Sequence, residues 1–351
     1  MKFLTPVLLI IGLVATAVTR AQEPKPASKT SSEQDVDTLK IDTNLVTVPV
    51  IASSRTGIYI ADLKKEEFKL TEDGVVQEIA FLASVDAPFY VVLMLDTSLS
   101  TKEKLPLIQR AAIAFLEQIG PNDKVKVISF DGDLYNWNDF TSDKTILRSA
   151  ISKTRWGYST RVYDAVQLAL DSLRPIQQRK AIVLLSDGGD AYSKQSSFAS
   201  TVRDLDESGV IVYPIRFDTR VETERLNQQQ DPATTNGVRM PGLDPARKST
   251  NPSAQNNTIS ARLDNLYAQA DSYLKELATR SGGQLYRADT AASLPQAFAA
   301  IAAELRTQYL LGYYPTNKDD NAAYRKIQVK TSRKDIAIRA RRGYRPKSAG
   351  R

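Results

Sequence analysis

The chain has 351 residues, of which 42% are hydrophobic and 25% charged, and its formal net charge is +7. These fractions are those of an ordinary globular protein, and the length predicts a sizeable core with a smaller second unit. The chain contains no His and no Cys. Histidine bases, cysteine nucleophiles, zinc sites built on either residue, haem ligation through them and disulfides are therefore all excluded.

The N-terminal sequence predicts an export signal followed by a disordered tether. Lys2 precedes an apolar stretch from Val7 to Val18, and Ala21 offers a small residue for cleavage. This pattern is typical of a secretory signal peptide over residues 1–21, and the stretch is short for a membrane span. An uncleaved anchor is the alternative. Residues 22–43 are rich in Ser, Lys, Glu and Pro and predict a disordered tether, so we expect a secreted or periplasmic protein that does not span the membrane after cleavage.

Strand-like segments occur near both ends of the folded part. Residues 44–86 alternate in apolar character, with a turn signal at Asp73-Gly74. Strands return at 309–314, 327–330 and 336–340, within a C-terminal segment of residues 307–347. Because isolated β segments of this size would be marginal, we expect the two segments to pair as one small β-sandwich.

Residues 88–306, between these segments, alternate predicted strands with predicted helices. The strands are expected at 90–96, 125–130, 134–140, 181–187, 210–217 and 284–287. Apolar residues recur at helical spacing over 105–119, 162–173 and 263–277. The alternation predicts an α/β fold, with a doubly wound, mainly parallel six-stranded sheet covered by helices on both faces.

One polar stretch, residues 218–258, fits none of these elements and predicts a long loop. It follows a strand of the predicted parallel sheet, so it leaves from the sheet edge where the strands end. The loop is expected either to shield that edge, offering a carboxylate such as Glu222, Glu224, Asp231 or Asp244, or to be a solvated insertion without a role there.

Five oxygen-bearing side chains stand at that same edge. Asp96, Ser98 and Ser100 follow the first buried strand, Thr160 lies in a later loop, and Asp187 ends another apolar run. Open α/β sheets bind ligands where their strands end, and two carboxylates with three hydroxyls suit a hard divalent cation. The alternative for Ser98 or Ser100 alone is a helix N-cap.

These stretches resemble the metal-ion-dependent adhesion site of von Willebrand factor type A domains. The resemblance covers about residues 88–306 and rests on Asp96-x-Ser98-x-Ser100, on Thr160 shortly before Tyr163-Asp164-Ala165, and on Ser186-Asp187-Gly188. The flanking segments, with Leu311-Gly312-Tyr313-Tyr314-Pro315 and Arg341-Arg342-Gly343-Tyr344, resemble bacterial "VWFA-related" exported proteins of acidobacterial type.

The resemblance implies a role for each residue. Ser98 and Ser100 would bind the metal directly, Thr160 would bind it directly or through water, and Asp96 and Asp187 would act mostly through bound water. The implied cation is Mg²⁺, with Mn²⁺ or Ca²⁺ as alternatives, and a partner protein's Asp or Glu carboxylate would complete its shell. Two departures are Tyr158-Ser159, where the family often has glycine, and Gly189, where it often has an acidic residue.

The sequence therefore predicts an exported, non-enzymatic protein that mediates metal-dependent protein–protein interaction. One alternative is a structural envelope protein whose metal only stabilises the fold. Another is a Mg²⁺-dependent hydrolase, although no phosphate-binding glycine loop appears and the second Asp of a haloacid-dehalogenase-type site is replaced by Ser98. Basic residues crowd positions 326–351, and we expect them on solvated strand faces rather than on a nucleic-acid-binding patch.

Overall fold

A computed structural model describes residues 45–83, 86–229, 252–290, 293–319 and 323–346, with the backbone alone at 226–229 and 252–260. The predicted signal peptide (1–21) and tether (22–43) lie outside this range. In chain order the strands are β1 (Val46–Ser54), β2 (Phe68–Glu72), β3 (Val75–Gln77), β4 (Ile79–Ala83), β5 (Phe89–Asp96), β6 (Lys124–Phe130), β7 (Leu134–Asn136), β8 (Arg179–Ser186), β9 (Ile211–Arg216), β10 (Tyr286–Arg287), β11 (Tyr309–Tyr313), β12 (Arg325–Thr331), β13 (Ile336–Ala340) and β14 (Gly343–Tyr344). The helices are α1 (Leu105–Leu116), α2 (Lys144–Lys153), α3 (Val162–Leu173), α4 (Phe198–Ser208), α5 (Arg220–Gln229), α6 (Pro252–Ser281) and α7 (Ser293–Thr307).

The central sheet has six strands in the order β10-β9-β8-β5-β6-β7. Strand β7 is antiparallel to β6, and every other neighbouring pair is parallel. Strands β8 and β9 are buried along their whole length, as their continuous apolar sequences require of strands covered on both faces. The predicted six-stranded, mainly parallel sheet is confirmed.

Helices cover both faces of this sheet, so the doubly wound arrangement is also confirmed. On one face α1, α2 and α7 enclose a core in which Phe115 and Phe298 are fully buried. On the other face α3, α4 and α6 enclose a second core around Val166 and Leu277. The periodicity located α1, α3 and α6 but not the helices α2, α4, α5 and α7.

The predicted strand at 134–140 is too long, since β7 ends at Asn136. Beyond that point a side chain takes part in the pairing, beside an isolated backbone bridge between Val125 and Thr141. Asn138 Oδ1 accepts a hydrogen bond from the Val127 amide at 3.1 Å, and Asn138 Nδ2 donates to the Val125 carbonyl at 3.0 Å. The side-chain amide satisfies the edge of β6 without a further strand.

The terminal segments pair with each other, as expected. One four-stranded sheet has the order β13-β1-β11-β4 and the other β14-β12-β2-β3, so each combines N-terminal and C-terminal strands. The two sheets share one core that includes Val48, Leu70 and Leu311. Asp73 and Gly74 both have positive φ, and they form the two-residue turn between β2 and β3 that the sequence indicated.

The described parts of the polar stretch 218–258 are mostly helical, whereas the sequence predicts a long loop. Residues 220–229 form α5, residues 252–258 belong to the start of α6, and Asp231 and Asp244 lie outside the described range. Polar composition conceals α5, because a helix without an apolar face needs ion pairs instead. Lys104 Nζ lies 3.0 Å from Glu222 Oε1, and Arg225 Nη1 lies 3.5 Å from Glu103 Oε1.

Several of the C-terminal basic residues are paired rather than freely solvated. Arg333 lies 2.7 Å from Asp62 and 2.9 Å from Glu67, and Arg339 pairs with Glu304. These pairs remove positive charge from the surface that a basic patch would need. Among the described residues, no helix combines the length and apolar character that crossing a bilayer requires.

A buried carboxylate joins the β-sandwich to the α/β part, and the described residues of both belong to one compact unit. Glu304 of α7 is 1% exposed, and its Oε1 accepts hydrogen bonds from the hydroxyls of Tyr59 and Tyr286, each at 2.9 Å. Its Oε2 pairs with Arg339 of β13. Burial first, and then the Glu304 charge, raises the pKa of Tyr59. Tyr59 and Tyr286 therefore stay protonated as donors.

Replacing Glu304 by alanine is expected to lower the free energy of unfolding by about 3 kcal/mol, because it leaves the Arg339 charge without its partner. Urea unfolding followed by circular dichroism measures the change. Arg55→Ala is the matched control, since that arginine is 82% exposed in its pair with Asp335, and it is expected to change the value by less than about 0.5 kcal/mol. Equal effects of the two substitutions would contradict a role for Glu304 in joining the two parts.

Candidate metal centre

The first carboxylate stands at the end of β5. Asp96 is fully buried, and its two oxygens have separate donors. Oδ1 accepts the Ser98 amide at 3.0 Å, and Oδ2 accepts the Ser186 hydroxyl at 2.6 Å. Ser186 ends β8, so this contact joins the two neighbouring strands at their carboxyl edge.

A short 3-10 helix, Leu99–Thr101, turns the two serine hydroxyls toward the same place. The Thr101 hydroxyl donates to the Ser98 carbonyl at 2.8 Å and also lies 3.2 Å from the Asp96 carbonyl, which fixes the turn. Ser98 Oγ lies 3.1 Å from Ser100 Oγ. The Ser100 hydroxyl in turn donates to Asp187 Oδ2 at 3.2 Å.

The second carboxylate, Asp187, follows β8 and is 8% exposed. Its Oδ1 accepts the Gly189 amide at 2.9 Å, and its Oδ2 also accepts the Thr219 hydroxyl at 2.6 Å. Thr219 is a site residue that the sequence reasoning missed. Its position two residues after the predicted strand 210–217, at the edge that carries both carboxylates, was the available signal.

Hydrogen bonds thus connect four of the five predicted residues, and Thr160 is held beside them through its backbone. Its carbonyl accepts the amides of Ala191 at 3.1 Å and Tyr192 at 3.0 Å. On the other side the Gly157 amide donates to the Thr97 carbonyl at 2.8 Å. The loop that carries Thr160 is therefore bonded to the loops that follow β5 and β8.

Asp164 of α3 holds the segment between β8 and α4, which agrees with the structural role that its early position in a helix indicates. It accepts the amides of Lys194, Gln195 and Ser196, and it pairs with Arg161 at 2.6 Å. Burial raises the pKa of Asp164, but the three amides and Arg161 outweigh it, so the pKa lies below its usual value.

The electrostatics of the two carboxylates favour a cation. Burial, and then the charge of Asp187, raises the pKa of Asp96 to about 7, against the opposing hydrogen bonds from Ser186 and Ser98. In the part of the chain that the structure describes, neither Asp96 nor Asp187 forms an ion pair with Lys or Arg. Two close, buried carboxylates without positive charge are costly, and a divalent cation would supply that charge.

The donor set also fits a hard cation. All five side chains offer oxygen, which Mg²⁺ and Ca²⁺ prefer. No group of three or more acidic side chains that could hold a metal occurs among the described residues, so a cation at this edge would depend on the hydroxyls.

Gly189 keeps the space beside Asp187 open. A side chain at this position would crowd the carboxylate, because its Cβ would lie only 3.2 Å from Asp187 Oδ1.

Residues 91–189 match the family model described as von Willebrand factor type A domain. This stretch contains all five predicted metal residues, and the match confirms the resemblance there. The likeness of the flanking segments to exported bacterial proteins stays a prediction. No curated protein matches this chain.

Solved structures show distant similarity. An aerotolerance-related membrane protein from Bacteroides fragilis, carrying multiple mutations to serine, is 19% identical over 62% of this chain and 98% of its own, with a TM-score of 0.41. The von Willebrand domain of the type V pilus tip protein Mfa5 from Porphyromonas gingivalis is 17% identical over 61% of this chain and 94% of its own, with a TM-score of 0.38. Proximal thread matrix protein 1 from the mussel byssus, with a zinc-occupied metal site, is 13% identical over 67% of this chain and 49% of its own, with a TM-score of 0.44.

The glycine that follows Asp187 packs closely against α6, and substituting it measures how tight this contact is. Gly188 has φ +82°, and a Cβ there would lie 2.9 Å from the carbonyl oxygen of Ala270 in α6, whereas Gly57 has φ +85° with open space around it. Gly57→Ala is expected to cost about 1 kcal/mol of stability for the left-handed backbone alone. Gly188→Ala should cost about 1–3 kcal/mol more through the clash. Thermal unfolding compares the two, and equal losses would show that α6 yields at this point.

Proposed function

We propose that this chain, in which residues 91–189 carry the type A domain sequence, is an exported protein that binds a divalent cation and, through it, a partner protein. The main support is the buried pair Asp96 and Asp187, joined through Ser98 and Ser100 and lacking a basic partner in the described range. We propose no catalytic step for it. Its chemistry is coordination by oxygen.

The five residues of the candidate site would have different roles in binding the cation. Ser98 and Ser100 would ligate the cation through neutral hydroxyls, and Asp96 and Asp187 would orient those hydroxyls and bind metal-held water. Thr160 would add a ligand directly or through water. A bound Mg²⁺, with Mn²⁺ or Ca²⁺ as alternatives, would supply a positive charge that neutral ligands leave largely uncompensated. An Asp or Glu carboxylate of the partner would then complete the shell.

Exposed aromatic side chains beside the site support a protein partner. Trp156 and Tyr158 flank Gly157 in the Thr160 loop, are 36% and 64% exposed, and pack edge to face at 5.5 Å. Lys102 Nζ, two residues beyond Ser100, lies 3.9 Å from the centre of the Trp156 ring. Aromatic residues are enriched in protein interfaces, because they bury large area at low entropy cost.

Export is proposed from the N-terminal sequence, which lies outside the described residues. The basic Lys2, the apolar stretch from Val7 to Val18 and the small Ala21 have the order of a signal peptide. The absence of Cys means that the exported protein would rely on core burial and ion pairs instead of disulfides.

Isothermal titration of Mg²⁺ into the mature protein is expected to show binding that Asp96→Asn or Ser98→Ala weakens at least about tenfold. Mg²⁺ at about 100 times its Kd should also raise the free energy of unfolding by about 2.7 kcal/mol, since it binds the folded state. Asp171→Asn is the matched control, because Asp171 is an exposed residue of α3 whose side chain bonds to Arg174 and Gln167, outside the candidate site. Negligible heats and an unchanged Tm in every protein would refute the metal site.

Capture of a partner from envelope extract is expected to require the cation, so EDTA or Ser98→Ala should abolish it. Tyr158→Ala should weaken capture several-fold and leave Mg²⁺ affinity unchanged, since it removes contact area and no ligand. Tyr314→Ala is the control, because Tyr314 is 47% exposed but belongs to the segment after β11. Capture indifferent to EDTA would favour the structural alternative, and turnover of a phosphate ester would favour the hydrolase.

A further inference from the structure

Thr219 connects the candidate metal centre to the two helices that follow β9. Its side chain is fully buried, and its hydroxyl donates to Asp187 Oδ2 at 2.6 Å. The same oxygen atom of Thr219 lies 3.2 Å from the Tyr267 hydroxyl of α6. Tyr267 donates to the Thr223 hydroxyl of α5 at 2.8 Å. A cluster of three hydroxyls therefore lies between the carboxylate and the helix pair.

The start of α5 is also tied to the opposite side of the centre. Lys104, which lies just before α1 and four residues beyond Ser100, bonds to the Asp218 carbonyl and lies 3.0 Å from Glu222 Oε1. Residues 218–223 are thus attached to two of the three segments that carry the proposed ligands, the one with Asp187 and the one that continues from Ser100 to Lys104. Arg220 reinforces the contact between helices, since it lies 2.9 Å from Asp264 and stacks over the Tyr267 ring at 5.2 Å.

We propose that Thr219 is a positioning residue for the metal centre, which makes the cation affinity depend on the placement of α5 and α6; this inference rests on the proposed function. Asp187 Oδ2 accepts two hydrogen bonds, one from the Ser100 hydroxyl and one from the Thr219 hydroxyl. The Thr219 bond fixes the carboxylate rotamer, and the carboxylate then directs the Ser100 proton toward itself. With its proton directed to Asp187, Ser100 could offer an oxygen lone pair to a bound cation. A hydrogen bond to a charged acceptor is among the stronger ones, and such outer contacts tune metal affinity.

Coupling of this kind is reciprocal. If the placement of α5 favours cation binding, cation binding must stabilise the placement of α5 by the same free energy. The amides at the start of α5 should then exchange more slowly with solvent when Mg²⁺ is bound, because local opening of this segment becomes less frequent.

The test compares Thr219→Val, which keeps the shape and removes the hydroxyl, with Thr219→Ser, which restores it. Titration with Mg²⁺ alone should show about tenfold weaker binding for Thr219→Val and less than threefold change for Thr219→Ser. Thr223→Val is the matched control on α5, two bonds further from Asp187, and should change the affinity less than Thr219→Val. Hydrogen exchange of residues 219–225 should slow with Mg²⁺ in the unaltered protein and in Thr219→Ser, but not in Thr219→Val.

The outcomes separate this inference from the proposed function. Mg²⁺ binding of equal strength in Thr219→Val and the unaltered protein would overturn the inference and leave the metal centre intact. No Mg²⁺ binding in the unaltered protein would overturn both. If Thr219→Val loses its fold, as a lowered Tm without Mg²⁺ would reveal, Thr219→Ala replaces it with the same expected loss of Mg²⁺ affinity, because it also removes the hydroxyl that bonds to Asp187. Failure of Mg²⁺ to slow exchange at 219–225 in the unaltered protein also overturns the inference.

Discussion

The parallel pairing of β5 with β8 is the constraint on which the rest of the site depends. Its register places Leu95 opposite Leu185, so the chain emerges from both strands at the same level of the sheet. Apolar burial on both faces fixes that register, because β8 has no polar face to expose. Asp96 and Asp187 therefore lie at the same edge of the sheet. There the Ser186 hydroxyl of β8 bonds to Asp96 of β5 at 2.6 Å. The electrostatic conflict between the carboxylates is a consequence of strand pairing.

The β-sandwich explains how this sheet is carried. The chain leaves β4 at Ala83, forms the whole α/β part and returns in β11, where Leu310 pairs with Ala83. An insertion between two adjacent strands needs attachment at its base. Arg179, at the start of β8, donates to the carbonyls of Leu305 and Gln308, and Glu304 binds the sandwich through Arg339. The edge that carries Asp96 and Asp187 lies at the opposite ends of the parallel strands, away from this attachment.

Most of the fold followed from patterns that a single sequence shows. Continuous apolar runs gave the buried strands, and the helical spacing of Val162 to Leu173 matched α3 to the residue. One strand was predicted too long and helix α5 was missed, each for a physical reason. Beyond Asn136 the Asn138 side-chain amide bonds to the edge of β6, and α5 has ion pairs in place of an apolar face. Neither element shows a periodic apolar pattern in the sequence, because each depends on side-chain contacts with another segment of the chain.

The sequence by itself determined which ligand atoms the sheet edge can offer: without His or Cys, the carboxylates and hydroxyls that follow the apolar runs present oxygen. It also indicated most of the central strands, because a strand buried on both faces has a continuous run of apolar residues. Tertiary structure alone decided that Thr219 bonds to Asp187, that Thr160 is held through its carbonyl, and that residues 220–229 form a helix paired with Lys104. These depend on contacts between residues far apart in the chain, whose geometry exists only once the sheet has formed.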